Sequence, residues 1–440
     1  LTQGSFSQKV QRVSRRLPPW RLEGRLKAVV GLLAYGSLPA SVGDQCEIVL
    51  DQQRSVLAEV VGFRGDQAIL LPYETGLDLR AGLTVRLLRQ GIWLPVGHGL
   101  IGRVLDPRGQ PIDNAGPLRG VFYEPLRLDT PEALQRKRIR DPLVTGQRVI
   151  DGLMPIGQGQ RIGIFAGSGV GKSTLLGELA KGSKADRIVV ALVGERGREV
   201  LPFLEDSLGE QGRARSVVLV ATSDQSPLLR VRCCQSAVMM AGWFRARGEH
   251  VVLLMDSLTR LAMAQREIGL SLGEPPSARG YTPSVFQTMA GVLEAMGTDE
   301  IGSVTGLLTV LVDGDDLDEP VADAARSMLD GHIVLERKLA ERGQFPAINS
   351  LKSLSRVAPD LMTADHAKHA RKIRQLLSTY QEAEDLIRIG AYQRGSSVPI
   401  DMAIQLMPQL TQFLAQQVDQ FSSWEQTLAQ MAQLVANWPG

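Results

Sequence analysis

Eight consecutive residues, Gly167-Ser168-Gly169-Val170-Gly171-Lys172-Ser173-Thr174, follow directly on the apolar run Ile162–Ala166. A strand, a glycine-rich loop and then Lys-Ser opening a helix is the order that a phosphate cradle requires. The glycines let the loop turn tightly with its N–H groups inward, and a helix starting near Lys172 presents its positive dipole end to the same anion. Lys172 is placed to reach the β/γ-phosphates of a nucleoside triphosphate, and Ser173 to ligate Mg²⁺. The strict pattern has glycine five residues before Gly171, where Ala166 stands instead; its small side chain costs some backbone freedom and little space. A G-x-G-x-x-G dinucleotide count from Gly167 fails, because it ends on Lys172.

Hydrolysis of a triphosphate needs more than the cradle: a carboxylate to organise the metal, a group to orient water, charge on the γ-phosphoryl and a base pocket. Val251–Asp256 is an apolar run that ends in a carboxylate, so Asp256 is the metal-site acid; the plainer alternative is a strand-end cap with Ser257. A second run ends in Gly194-Glu195-Arg196-Gly197-Arg198-Glu199. Glu195 at a strand tip beside the cradle would act as a general base, with Arg196 next to it. On residue types alone, a surface ion-pair network is the commoner meaning of such a cluster.

The elements that must carry these residues follow from the pattern of the whole chain. At 440 residues it is too long for one core. From Arg25 to Leu88, short β-like runs (Ala28–Leu33, Cys46–Leu50, Val56–Gly62, Gln67–Pro72) split by Gly and Asp predict a small β-barrel. Further on, the apolar runs Arg161–Ala166, Arg187–Val193, Ser216–Ala221, His250–Met255 and Leu307–Val312 alternate with helical periodicity. That predicts a mainly parallel sheet with its ligands at the strand C-termini. Beyond Asp360 the pattern is helical, and Leu406, Leu410, Leu414, Val418, Phe421, Trp424, Leu428, Met431 and Val435 read as one apolar stripe. The expected organisation is therefore α/β: a basic arm at 1–20, a barrel at 21–88, a RecA-like P-loop nucleotide-binding core at 89–360 and a helical domain at 361–440.

Forty-nine Lys plus Arg stand against 47 Asp plus Glu, a balance that argues against a dedicated nucleic-acid binder. Cys46, Cys233 and Cys234 have no metal-ligand spacing and read as packing residues of a reducing cytoplasm. No apolar run reaches the ~20 residues of a membrane span. His366 and His369 beside Asp365 have a metal-compatible spacing, but a solvated helix face is the expected reading.

Taken with Pro346-Ala347-Ile348-Asn349 and Ser353-Leu354-Ser355-Arg356, the cradle, the Glu195 cluster and Asp256–Arg260 resemble the ATPase family that includes the α and β subunits of rotary ATP synthases. Gly194–Val200, Met263–Ile268, Gly273–Pro276, Gly280–Phe286 and Asp330–Leu335 are similar to its type III protein export branch, the flagellum-specific members above all. The resemblance implies ATP hydrolysis with Mg²⁺ in a homohexamer whose active sites are shared between subunits. Glu195 falls on the family's catalytic glutamate and Arg356 on an arginine finger that reaches into a neighbour's site. Phe345 and Tyr392 stand where adenine contacts are placed, and the loop Pro275–Phe286 where relatives face a central channel. The implied partners are an export regulator, a stalk-like protein, export substrates with their chaperones, and a membrane export gate met peripherally from the cytoplasm. An injectisome ATPase is the nearest alternative. A ring-shaped nucleic-acid motor is the alternative of another class.

Overall fold

The computed structural model describes residues 22–312 and 319–436. The basic arm expected at 1–20 lies outside the described residues. The chain divides into two compact units, one ending at Trp93 and one beginning at Leu94.

In the first unit, the strands Glu23–Val30, Leu33–Ser37, Gln45–Val49, Ser55–Arg64, Gln67–Pro72 and Thr84–Arg89 close antiparallel into a barrel. Period-two alternation decides which residues enter it: Cys46 and Ile48 are buried between partly exposed Gln45, Glu47 and Val49. Leu26, Ala34, Val60, Leu70 and Val85 complete the core. Closure leaves the sheet no unpaired edge. The run Ala28–Leu33, expected as one strand, is instead the end of one and the start of the next. Gly31, at φ 59°, makes the left-handed turn between them.

The second unit is built on a nine-stranded sheet in the order Leu354–Ser355, Gly331–Leu335, Arg161–Ala166, Ser303–Leu311, His250–Asp256, Arg187–Glu195, Ser216–Thr222 and Val104–Leu105, with Gly297–Thr298 paired to Ser303–Leu311 off this path. The central pairings are parallel; Leu354–Ser355 and Gly297–Thr298 are antiparallel. A parallel sheet is covered on both faces, so its strands are apolar runs rather than alternating ones, and Val189–Gly194 is buried throughout. The five expected core strands are all present. Gly331–Leu335 and Val104–Leu105 join them unanticipated.

Three helices end the chain: Ala364–Arg388, Val398–Leu414 and Trp424–Val435. Their apolar faces share one core with the nucleotide-binding sheet, where Leu406, Leu410, Phe413 and Met431 meet Val149, Ile150 and Leu153. The expected single stripe from Leu406 to Val435 is broken at residues 415–423. There Val418 is 58% and Phe421 39% exposed. Polar bonds hold this break: Gln416 Oε1 accepts the Arg148 N–H at 2.9 Å and Gln416 Nε2 donates to Gly146 O at 2.7 Å. Asp419 N donates to Glu178 at 2.8 Å. The capping box of Ser423 and Gln426 then restarts the helix. His366 also departs from expectation. It is buried, bonded through Nε2 to Gly152 O at 2.8 Å and set edge-on to Trp424, and so ties the C-terminal helices to the core rather than facing solvent.

Candidate active site

The strand Arg161–Ala166 ends where the glycine-rich loop begins. Ala166 is its last residue, buried and in register with Leu311 and Leu335 on either side. An extended strand residue needs no glycine, which explains why alanine is accepted there. Gly169 and Gly171 do require it, at φ 78° and 86°. The helix Lys172–Gly182 follows at once, with Ser173 and Thr174 exposed in its first turn. Val170 is buried, anchoring the loop. Arg337 Nη2 donates to Ser168 O at 3.2 Å.

From this helix Lys172 reaches across to two other strand ends. Its Nζ lies 2.7 Å from Asp256 Oδ1 and 3.7 Å from Glu195 Oε1. Only one strand, Ser303–Leu311, stands between the loop's strand and that of Asp256. Its Thr309 donates to the same Asp256 oxygen at 2.7 Å. Ser257 also caps the next helix, accepting from Arg260 N at 3.2 Å. The cap and the acid thus coexist on neighbouring residues.

Glu195 sits at a register shift where Gly194, at φ 68°, interrupts the pairing with Ser216–Thr222. A bulge at a strand end re-aims the next side chain, here toward Lys172. A side chain at 194 would also press on Arg260, whose Nε is 3.9 Å from Glu195 Oε1. Burial first, then the Asp256 carboxylate, pushes the Glu195 carboxyl up to about 7 against the pull of Lys172. Lys172 is closer to Asp256 than to Glu195, which is why burial wins at Glu195. A hydrogen bond between Glu195 and Glu199 raises the first and lowers the second. Glu195 Oε1 is buried with no hydrogen-bond partner. The cluster is thus a poised site at its Glu195 end and an exposed ion pair at its other, where Arg196 meets Glu199 at 3.2 Å. Thr309, Arg260 and Arg337 were not singled out from the sequence. A lone threonine in the apolar run Leu307–Val312 was the only signal for the first.

Beside the loop, the Phe345 ring packs 3.5 Å from where a Gly171 side chain would begin, and Phe345 O accepts from Gln416 N at 2.8 Å. A cavity of about 1230 Å³ opens there, lined by Gly171, Thr174, Phe345, Pro346, Gln412 and Gln416 among others. Tyr392 does not line it. Its hydroxyl bonds to Ser397 O and Asp401 Oδ1, both at 3.0 Å, and serves the turn between two C-terminal helices.

Arg356 is exposed and lies at the other end of the sheet. Leu354–Ser355 pairs with Gly331 and His332 at the start of their strand, whereas Leu335 at its end flanks the loop's Ala166. About a strand's length, roughly 13–17 Å at ~3.3 Å per residue, separates the arginine's backbone from the cradle of its own chain.

Residues 146–355 match the model of the ATP synthase alpha/beta family, nucleotide-binding domain, and residues 362–433 that of the T3SS EscN ATPase C-terminal domain. The flagellum-specific ATP synthase of Bacillus subtilis (strain 168) is 50% identical, over 94% of this chain and 95% of its own. This chain belongs to that family. It is an ATPase of the flagellar and type III secretion group. The assembled ATPase EscN of the enteropathogenic E. coli type III secretion system superposes with a TM-score of 0.89 at 39% identity, covering 94% of this chain and all of the other. EscN in complex with its central stalk EscO gives 0.87 at 40% identity, with coverage of 94% and 100%.

Proposed function

We propose that this protein is the Mg²⁺-dependent ATPase of a flagellar export apparatus, acting as a homohexamer whose active sites are shared between neighbours. The observation that carries the reading is the split of the chemistry between the two ends of one sheet. Lys172, Asp256 and Glu195 converge at one end, and Arg356 lies exposed at the other.

Lys172 is the group that takes the β/γ-phosphates, exchanging the Asp256 carboxylate for a phosphate oxygen. Glu195, raised toward neutrality and with one oxygen unpartnered, holds and deprotonates the attacking water. Phe345 offers a ring to the base, and the glutamines around it offer amides. Ser173 and Asp256 suit Mg²⁺, being hard oxygen donors. When bound, the ion neutralises charge on the phosphoryl oxygens. The arginine completing each site comes from the next subunit.

The partners in this reading are a regulator for the arm at 1–20, a stalk-like protein in the ring's centre, export substrates with their chaperones, and a membrane gate met from the cytoplasm. No helix among the described residues is long and apolar enough to cross a membrane. The 50% identity to the flagellum-specific relative of Bacillus subtilis, against 44% to the type 3 secretion system ATPase of Xanthomonas euvesicatoria, supports flagellar over injectisome export. Loss of motility and filament export on deletion of the gene tests that choice.

The shared site has its own test. Arg356→Ala rings should bind ATP yet hydrolyse it ~10³–10⁵-fold more slowly, the range an arginine finger contributes. Mixing them with Lys172→Ala chains should restore part of the turnover, because some interfaces then join an intact cradle to an intact arginine. Mixed rings that form but stay as inactive as each variant alone would show that the site lies within one chain.

A further inference from the structure

The backbone that presents Arg356 is fixed by the residues that open the phosphate-loop strand. Asp330 Oδ2 accepts from Arg161 N and Nε at 3.0 Å each, and Oδ1 accepts from Arg161 Nη2 at 3.1 Å. The Asp330 N–H returns a bond to Arg161 O at 2.9 Å. Asp330 O then accepts from Arg356 N at 3.0 Å. The preceding Gln160 donates through Nε2 to Asp330 O at 2.9 Å and to Ser355 Oγ at 3.1 Å. Gly331 lies so close to this segment that a side chain there would meet Leu354 O at 2.4 Å. Outside its backbone, Arg356 makes one hydrogen bond among the described residues, from Nη2 to Arg326 O at 3.2 Å. The long arginine is therefore aimed by what holds its main chain.

We propose that the Arg161–Asp330 pair is a positioning device for Arg356, so that the strand carrying a chain's own phosphate loop also sets the arginine that this chain lends to its neighbour. The inference rests on Arg356 acting in trans. A forked arginine–carboxylate pair fixes direction as well as distance, and a displacement of about 1 Å in a catalytic group can cost ~10² in rate. Asp330 is 28% exposed and Arg161 15%. Arg161 Nη1 also meets Glu294 Oε1 at 2.6 Å, so the guanidinium is held from two sides and its direction is fixed. Arg161 to Ala166 is one uninterrupted strand, about 17 Å long at ~3.3 Å per residue.

Asp330→Ala should lower kcat by about tenfold or more while KM for ATP stays within about twofold, because the cradle is untouched. Mixed rings locate the defect. Asp330→Ala with Lys172→Ala should regain turnover; Asp330→Ala with Arg356→Ala should not, since both lack a working finger. The pair Arg356→Ala with Lys172→Ala is the control. If the control recovers and Asp330→Ala is instead complemented by Arg356→Ala, its defect lies in its own cradle and the positioning role is wrong. An unchanged kcat overturns it equally. A control that fails removes the shared site, and this inference with it. Should the alanine variant not fold, Asp330→Asn, which keeps the shape and removes the charge, goes through the same mixtures with the same outcomes deciding.

Discussion

The two ends of the central sheet treat charge in opposite ways. At the C-terminal end, Lys172, Glu195 and Asp256 are 14%, 13% and 5% exposed and face one another. At the N-terminal end, Arg356 is exposed and, among the described residues, its guanidinium bonds to a single backbone carbonyl. Charges removed from water must be paired, so the first group had to form a closed network within the chain. That network can open only when something of like charge to Asp256 arrives to take Lys172. An exposed arginine carries no such obligation. In the proposed ring, what it would act on is a second copy of the chain.

The heaviest blow to the closed edge is Lys172→Ala. It removes the charge on the phosphates and leaves Glu195 and Asp256 facing each other with Arg260, 3.9 Å from Glu195, as the remaining cation, so hydrolysis should vanish and nucleotide binding should weaken. Normal turnover in the purified variant would break the comparison at its root. Glu195→Gln comes next, because it keeps the shape while deleting the base. Binding should persist and turnover should drop ~10²–10⁴-fold, the usual contribution of a general base. Substantial activity would remove Glu195 from the mechanism.

Much of this edge was legible because its parts are local. Gly169, Gly171, Lys172 and Ser173 are adjacent, and the apolar runs ending at Ala166, Glu195 and Asp256 are buried on both faces, so they read as strands before any partner was known. What escaped was set by distant contacts. Gly331–Leu335 is short and carries His332, and only its pairing with Arg161–Ala166 makes it a strand. Residues 415–420 contain three glutamines, Gln416, Gln417 and Gln420, and read as helix-compatible, since glutamine has good intrinsic helix propensity. The break there comes from Gln416 bonding residues 146 and 148, about 270 positions earlier in the chain. His366 gave the opposite error. A polar residue among Asp365, Lys368 and His369 suggests solvent, yet one carbonyl, Gly152 O, is enough to make its burial tolerable. Tyr392 carries an aromatic ring in a plausible register, but Asp401 claims its hydroxyl.

Phe345 sharpens the comparison from the side of the pocket. Phe345 is 46% exposed beside Gly171 and lines the cavity next to the phosphate loop, where a flat base could cover its ring. Phe345→Ala should raise KM for ATP by roughly tenfold, with kcat changed much less, because a stacking contact of ~1–2 kcal/mol is made in ground and transition states alike. Phe345→Trp should keep most of the affinity. If KM is unchanged in the alanine variant, the base is bound elsewhere in the cavity.

The mildest test asks whether the pairing rule holds for a buried carboxylate with no cation at all. Asp151 is fully buried and accepts bonds from Thr145 N and Oγ1 and from Gly146 N, at 3.0, 2.7 and 2.9 Å. No cation pairs with it among the described residues, and burial outweighs the three donors, pushing its carboxyl up to about 7. Its folded value is raised above the unfolded one of ~3.9, so its contribution to stability is full below about pH 4. That contribution declines as pH rises toward 7 and is constant above. Asp151→Asn does not titrate, and its mismatch with the three donors is a fixed offset. Unfolding free energies of the two proteins, measured from pH 4 to 8, should therefore converge or cross in favour of the variant by on the order of a few kcal/mol up to pH 7, then run parallel. Glu195 titrates in the same window in both proteins and cancels in the difference. A difference that stays flat across the whole range would mean that Asp151 ionises at its ordinary pH, and that three well-placed donors can replace the cation which Asp256 has in Lys172.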